Sequence, residues 1–327
     1  MEKLIAGFPE QLEEGIDIGK KARIQSPKNK LEHILIAGMG GSGIGGRVVS
    51  GLVASNCSLP IHFIQDYRLP AWVNKHSLGI LSSYSGNTEE TFSVAEELLE
   101  RESKAIAVTS GGKLAQLAES NDLDQVTLPG GWPAPRACLG FSAVAQVYVL
   151  YHLKLIDFDP EVKLQGVIRF LRKEQESIRA KARQIAYLLQ DKMPVIYSTS
   201  LFEPAGSRLQ QQLNENAKVL ALKNVIPEMN HNEIVGWHQH NDQLAVLLFL
   251  SQLDHPRNQL RNRFVQEVTG HFAGSLINIQ AKGADLWEQM FFLIHLADWI
   301  SFELADLRSV DIMSIKAIDA LKEMLQS

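Results

Sequence analysis

"HILIAGMGGSGIGG", residues 33–46, is a short apolar run that empties into glycine, and "IGGRVVSGLVA" within and beyond it carries a helical pattern. A strand, a glycine turn and a helix in that order open a βαβ unit. The rhythm continues outward. "IHFIQ" is strand-like, "LGILSS" is a strand, "TEETFSVAEELLE" a helix and "AIAVTS" another strand, followed by "LAQLAES" and the weak strand "QVTL". Strands alternating with helices predict a parallel sheet covered on both faces.

The loop "PGGWPAPRACLG", residues 129–140, is the densest Pro/Gly stretch and reads as a functional loop or a lobe boundary. "FSAVAQVYVLYHLKL" then leads through Asp157 and Pro160 into a long charged helix, roughly Glu161 to Leu189. After it the pattern restarts. "MPVIYSTS", "LAVLLFL" and "SLINIQ" read as strands, and "SRLQQQLNENAKVL", "RNRFVQEV" and "DLWEQMFFLIHLADWISFELA" as helices. No sequence repeat relates the halves. The 327 residues suit two doubly wound α/β lobes, 1–155 and 156–327, the second ending in a C-terminal helix. A ligand is expected outside the carboxyl ends of the strands.

A net charge of −5 gives no basic surface, so neither nucleic acid nor an anionic membrane is expected as a partner. A phosphate would have to be held locally. Two cysteines, Cys57 and Cys138, are too few for a disulfide framework or a cysteine-rich zinc site. "MEKLIAGFPEQLEEG" is no signal peptide. His295, Asp298 and Glu303 interrupt "MFFLIHLADWISFELADL", which therefore reads as a core helix and not a membrane span. The expectation is a cytoplasmic protein.

In the glycine stretch, Gly38, Gly40 and Gly43 have the spacing of a dinucleotide fingerprint, and Asp66 follows the next strand as a ribose-binding acid would. No GxxxxGK[ST] occurs. A nucleotide, a phosphosugar and a purely structural turn all fit this loop. The second junction separates them. "LSSYSGNTEET", residues 81–91, sets Ser82, Ser83, Ser85 and Thr88 around Gly86 and Asn87, ahead of a helix. A dinucleotide fold needs no such second loop. Asn87 is expected to cap the helix with Glu90 as its partner, which leaves Ser83, Ser85 and Thr88 to donate to an anion.

"GGSG" after the first strand with "SYSGNTEET" after a later one resembles the sugar isomerase (SIS) family. "PRACLG", "NENAK", "NHNEIVGW" and a lysine near the C-terminus resemble its bifunctional phosphoglucose/phosphomannose isomerase branch. These pieces span nearly the whole chain. The resemblance implies two flavodoxin-like SIS subdomains and an aldose-ketose isomerase that uses neither metal nor nucleotide cofactor. Its substrate would be a sugar 6-phosphate: glucose 6-phosphate and fructose 6-phosphate, with mannose 6-phosphate besides. Ser42, Ser83, Ser85 and Thr88 would hold the phosphate beside the glycine loop of Gly40, Gly41 and Gly43. Glu215 matches the general base, Arg136 the cation beside the enediolate, and His231 the ring-opening histidine that reaches the neighbouring subunit of a homodimer. Lys322 matches the lysine that contacts the sugar.

The residues also have plainer readings. Helical periodicity puts Leu209, Leu213, Ala217 and Leu220 on one face and Glu215 nearly opposite, the place of a solvated glutamate. As a base it would need burial to lift its pKa towards neutrality. Arg136 could be a loop arginine in a surface ion pair. Glu233, His238 and His240 near His231 suggest a metal site, but their spacing is not HExxH. On the last helix Lys322 falls within the arc of Ile315, Ile318, Leu321 and Leu325, which predicts a lysine on a buried face; Lys316 lies outside it. One departure stands out. The threonine that the family associates with the mannose epimer is replaced in "DIMSIKAIDALK" by Ile315, or by Ser314 if the register shifts. Two alternatives stay open: a non-catalytic phosphosugar sensor, and a dinucleotide-dependent oxidoreductase that depends on Asp66.

Overall fold

A computed structural model describes residues 1–325. The chain divides into two compact units, Ala6–Arg172 and Lys173 onward together with Met1–Ile5. The division falls inside a continuous helix of 30 residues, Pro160–Leu189, and so later than the boundary at residue 155 suggested by the sequence.

The N-terminal unit begins after the short helix α1 (Glu2–Ala6) with α2 (Phe8–Lys21). It continues as β1 (His33–Ala37), α3 (Gly40–Val53), β2 (Ile61–Ile64), β3 (Ser77–Ser82), α4 (Glu89–Glu100), β4 (Lys104–Thr109), α5 (Gly112–Ser120), β5 (Asp124–Thr127) and α6 (Leu139–His152). The long helix is α7 (Pro160–Leu189). All four strand pairings are parallel, in the order β2-β1-β3-β4-β5. Alternation along the strands sends Leu35, Ala37, Leu81, Ala105 and Ala107 to the face covered by Val94, Ala95 and Leu98 of α4 and Leu114 and Ala118 of α5. The opposite face is roofed by α3 and α6, with α2 packed on α6. Every residue of α6 from Leu139 to Leu150 is buried. Each such Leu, Val or Phe stabilises the sheet by roughly 1.5–3 kcal/mol relative to exposure.

The strand order reverses between β1 and β3, where Ala37 pairs with Leu81. In open parallel sheets this is where a crevice forms beyond the carboxyl ends. The glycine stretch and the hydroxyl stretch both leave the sheet there.

The C-terminal unit runs β6 (Met193–Thr199), α8 (Glu203–Glu215), β7 (Leu222–Ile226), β8 (Asn241–Leu250), α9 (Pro256–Phe272), β9 (Ala273–Gln280), α10 (Leu286–Leu307) and α11 (Lys316–Leu325). Its sheet is also parallel, in the order β7-β6-β8-β9. The doubly wound fold expected of both halves is therefore present. Val195, Tyr197, Val246 and Leu248 pack under Val265 of α9 on one face, and α8 packs on α10. In α10 each polar interruption has a partner: Trp299 Nε1 donates to His295 Nε2 at 3.3 Å, Asp298 pairs with Arg208 at 2.7 Å, and Glu303 accepts from Arg179 at 3.2 Å. None of the described helices is long and apolar enough to cross a membrane.

Three details depart from the sequence reading. β7 carries no strong apolar alternation and was not expected. The helix read through "AKVL" stops at Glu215, because Lys218 turns left-handed (φ 57°) and the Val219 amide donates back to the Leu213 carbonyl. Leu220 is consequently exposed and not on a helix face. Finally, α11 has no buried residue, so Lys322 lies on an exposed helix and not on a buried face.

Candidate functional site

In the N-terminal unit the glycine stretch is mostly helix: α3 starts at Gly40, so Gly40, Gly41, Ser42 and Gly43 form its first turn. The Ser42 and Gly43 amides already bond the Met39 carbonyl. The amides of Gly40 and Gly41 precede the first intrahelical bonds, at the positive end of the helix dipole. Ser42 does not stand alone, since its Oγ accepts a hydrogen bond from the Tyr84 amide at 3.2 Å. This bond joins the turn after β1 to the loop after β3.

Within that second loop, Ser83 and Thr88 face each other with their hydroxyl oxygens 2.8 Å apart, and Ser83 Oγ also accepts from the Gly86 amide at 3.1 Å. Ser85 is exposed, and its Oγ accepts from the Asn87 amide at 3.3 Å. Gly86 is required where it stands. Its φ is 68°, and a Cβ there would come within 1.8 Å of the Gly111 carbonyl oxygen. The expected capping box is absent. Thr88 occupies the N-cap of α4, while the Asn87 side chain accepts from the Lys113 amide at the start of α5, at 3.1 Å. The carboxamide caps a neighbour in space and not the helix next in sequence.

Arg136 sits in a 3-10 turn, Pro135–Ala137, and is buried, only 5% exposed. A Cβ on Gly41 would lie 3.2 Å from the Arg136 Cα, so the glycine permits the arginine's backbone to close on the first turn of α3. The plain reading of a surface arginine is thereby excluded. Gln11, which the sequence did not single out, fixes this turn: its Nε2 donates to the Ala137 carbonyl at 2.7 Å and its Oε1 accepts from the Gly140 amide at 2.6 Å. Ser42, Ser83, Thr88, Gly41 and Arg136 thus gather at the sheet's reversal point. Asp66 accepts from the amide of Tyr67, at 2.7 Å, a local turn contact.

In the C-terminal unit, Glu215 is the last residue of α8 and half-buried. The helix end is held from both sides. Asn216, fully buried, donates to Ser301 Oγ at 2.9 Å, and Lys218 Nζ donates to the Glu215 carbonyl and, at 2.6 Å, to the Ser314 carbonyl. His231 is exposed at the end of the turn Glu228–His231, which buried Met229 anchors. The next turn is tied down by Glu233, which accepts from Tyr197 Oη and, at 2.5 Å, from Asn224 Nδ2. Trp237 Nε1 donates to the same Tyr197 oxygen at 3.0 Å. Burial and then the Glu233 carboxylate push the Tyr197 pKa far up, so the phenol stays a donor. Glu233 is committed to this network, His238 to the Gly236 carbonyl at 3.0 Å and His240 to Asp242 at 2.9 Å. They do not converge as ligands, and the described residues contain no group of three or more His, Cys, Asp or Glu that could hold a metal ion.

The family described as the bacterial phospho-glucose isomerase C-terminal SIS domain matches residues 178–325. A bifunctional phosphoglucose/phosphomannose isomerase of Caldicellulosiruptor bescii is 34% identical, over 98% of this chain and 97% of that protein. One from Aquifex aeolicus is 34% identical, over 99% and 98%. Among solved structures, the C-terminal domain of glucosamine-fructose-6-phosphate aminotransferase from Francisella tularensis superposes with a TM-score of 0.76 at 16% identity, covering 95% of this chain and 96% of that one. At that identity the likeness speaks for the fold alone.

Proposed function

This chain belongs to the bifunctional phosphoglucose/phosphomannose isomerase family, and from that premise we propose that it interconverts glucose 6-phosphate and fructose 6-phosphate, and accepts mannose 6-phosphate as well. The supporting observation is the meeting of two anion-suited loops with Arg136 at the reversal point of the first sheet. An aldose-ketose isomerisation needs a held phosphate, an opened ring, a base that moves one proton, and positive charge beside the enediolate.

Ser42, Ser83, Ser85 and Thr88, with the amides of Gly40 and Gly41 at the start of α3, bind the phosphate without a basic patch. His231 donates to the ring oxygen on opening, acting in the neighbouring subunit's site of a homodimer. Glu215 removes the proton from C2 of the open aldose, leaving a cis-enediolate, and returns it to C1 while the hydroxyl proton passes from O2 to O1, which gives the ketose. No group outside substrate and protein is consumed. The Arg136 guanidinium stabilises the oxyanion that exists only in the intermediate and its flanking transition states, where fixed charge accelerates most. Lys322 contacts the sugar.

A coupled assay on both aldose 6-phosphates, with chelator present, tests the reading. Glu215→Gln should lower kcat by about 10²–10⁴-fold, the usual worth of a general base. Full activity in that variant would remove Glu215 from the role, and absence of turnover in the parent protein would leave a phosphosugar-binding protein without catalysis.

A further inference from the structure

Tyr84 stands among small residues, "SSYSGNT", yet it is 8% exposed and hydrogen-bonded to three other segments. Its amide donates to Ser42 Oγ in the first turn of α3, at 3.2 Å. Its carbonyl accepts from Ser110 beyond β4, from the amide at 3.0 Å and the hydroxyl at 2.7 Å. Its phenol reaches the loop after β5, donating to the Pro129 carbonyl at 2.8 Å and accepting from the Trp132 amide at 3.2 Å. Phenylalanine could fill the space but could make neither of the last two bonds.

Those two bonds matter because of where the loop goes next. Four residues after Trp132 comes Arg136, with its Cα against Gly41. The far end of the turn is clamped by Gln11, and Trp132 packs edge-on against Phe141 with ring centroids 5.2 Å apart. Arg136 is therefore suspended between two anchors, Gln11 on one side and the Tyr84 phenol on the other. The Gln11 anchor belongs to the helical layer. The Tyr84 anchor belongs to the hydroxyl loop itself.

We propose that Tyr84 is a positioning residue: through Pro129 and Trp132 it sets the approach of Arg136 to the substrate, coupling the loop that holds phosphate to the charge that faces the enediolate. This rests on the isomerase reading and on the role it gives Arg136. A phosphate contact acts equally in ground and transition states, whereas Arg136 acts on charge that develops later. Loss of the phenol should then lower kcat and leave KM and inhibition by inorganic phosphate within about twofold.

The test is a double-mutant cycle on the whole 327-residue chain, combining Tyr84→Phe with Arg136→Ala. Tyr84→Phe should reduce kcat at least about tenfold in the parent background, since small misplacements of a catalytic charge are costly. In the Arg136→Ala background the same change should have almost no further effect, because the group it positions has gone. A thermal unfolding scan on each variant guards against simple loss of fold. Parent-like kcat in Tyr84→Phe would overturn the proposal, and so would an equal fall in both backgrounds, which is what a merely structural role gives. If Arg136→Ala keeps parent kcat, the role of Arg136 fails first, and that outcome is read separately from the tyrosine variant.

Discussion

Ser83 Oγ lies 2.8 Å from Thr88 Oγ1, a hydroxyl pair across the mouth of the loop after β3. Either hydroxyl can donate to the other, and the one that accepts keeps its own proton for a further acceptor. Ser83, 2% exposed, also accepts from the Gly86 amide, so it remains satisfied if its partner is lost. Thr88→Val keeps the shape and removes the hydroxyl. A hydrogen bond to a charged phosphate contributes about 1.5–3 kcal/mol, so KM for glucose 6-phosphate should rise roughly tenfold or more with kcat little changed. Steady-state kinetics together with inhibition by inorganic phosphate decide it; an unchanged KM would remove Thr88 from the cradle.

Arg208 and Asp298 form a bidentate pair, with bonds of 2.7 and 3.0 Å, between side chains 1% and 7% exposed. It joins α8, which ends in Glu215, to α10. Asp298→Asn keeps the shape but leaves a buried guanidinium without its counter-charge. Urea denaturation should show a loss of about 3–5 kcal/mol. Replacing both partners, as Arg208→Met with Asp298→Leu, should recover most of that loss, because the desolvation cost disappears with the charges.

The strand and helix alternation was legible because each element repeats a local period, 2 for strands and 3.6 for helices, and burial follows it. Long-range pairing was not. Asn87 looked like a cap for α4 because capping rules read along the chain, but its acceptor oxygen serves Lys113 of α5. By its local sequence Arg136 could equally be a loop arginine in a surface ion pair, and nothing local shows that Gly41 lets its backbone close on α3. The α11 stripe was read correctly as amphipathic, yet periodicity does not state what covers a stripe, and Ile318, Leu321 and Leu325 are 39%, 51% and 50% exposed. Gln11 gave no signal, since a buried glutamine with two backbone partners looks like any polar residue of a surface helix.

Burial drives the His295 pKa down from 6.5 to about 3, and Nε2, which accepts from Trp299, fits a neutral ring. The folded chain refuses a proton that the unfolded chain takes up below pH 6.5, so stability falls as pH drops from 6.5 towards 3. At pH 5 the loss from this group should be about 2 kcal/mol. His295→Gln keeps an acceptor for Trp299 and removes the titration. Urea midpoints between pH 7 and pH 5 should slope less in the variant, and parallel slopes would show that His295 does not govern this range.

Lys218 holds a left-handed backbone, φ 57°, at the end of α8, a conformation that Gly and Asn adopt at less cost. A lysine there is explained by its Nζ, which bonds the Glu215 carbonyl and, at 2.6 Å, the Ser314 carbonyl ahead of α11. Three substitutions separate backbone from side chain. Lys218→Ala loses both bonds and keeps the unfavourable φ, whereas Lys218→Gly and Lys218→Asn lose the bonds but relieve the backbone, and should be more stable than the alanine variant by about 1–2 kcal/mol. All three release Ser314 from α8. Amide hydrogen exchange across residues 312–318 should quicken in every one of them, while exchange in the β6 and β8 core stays at the parent rate. Parent-like exchange in Lys218→Asn would mean that the segment carrying Ser314 and Ile315 is held by other contacts, and that the lysine serves only the carbonyl end of α8.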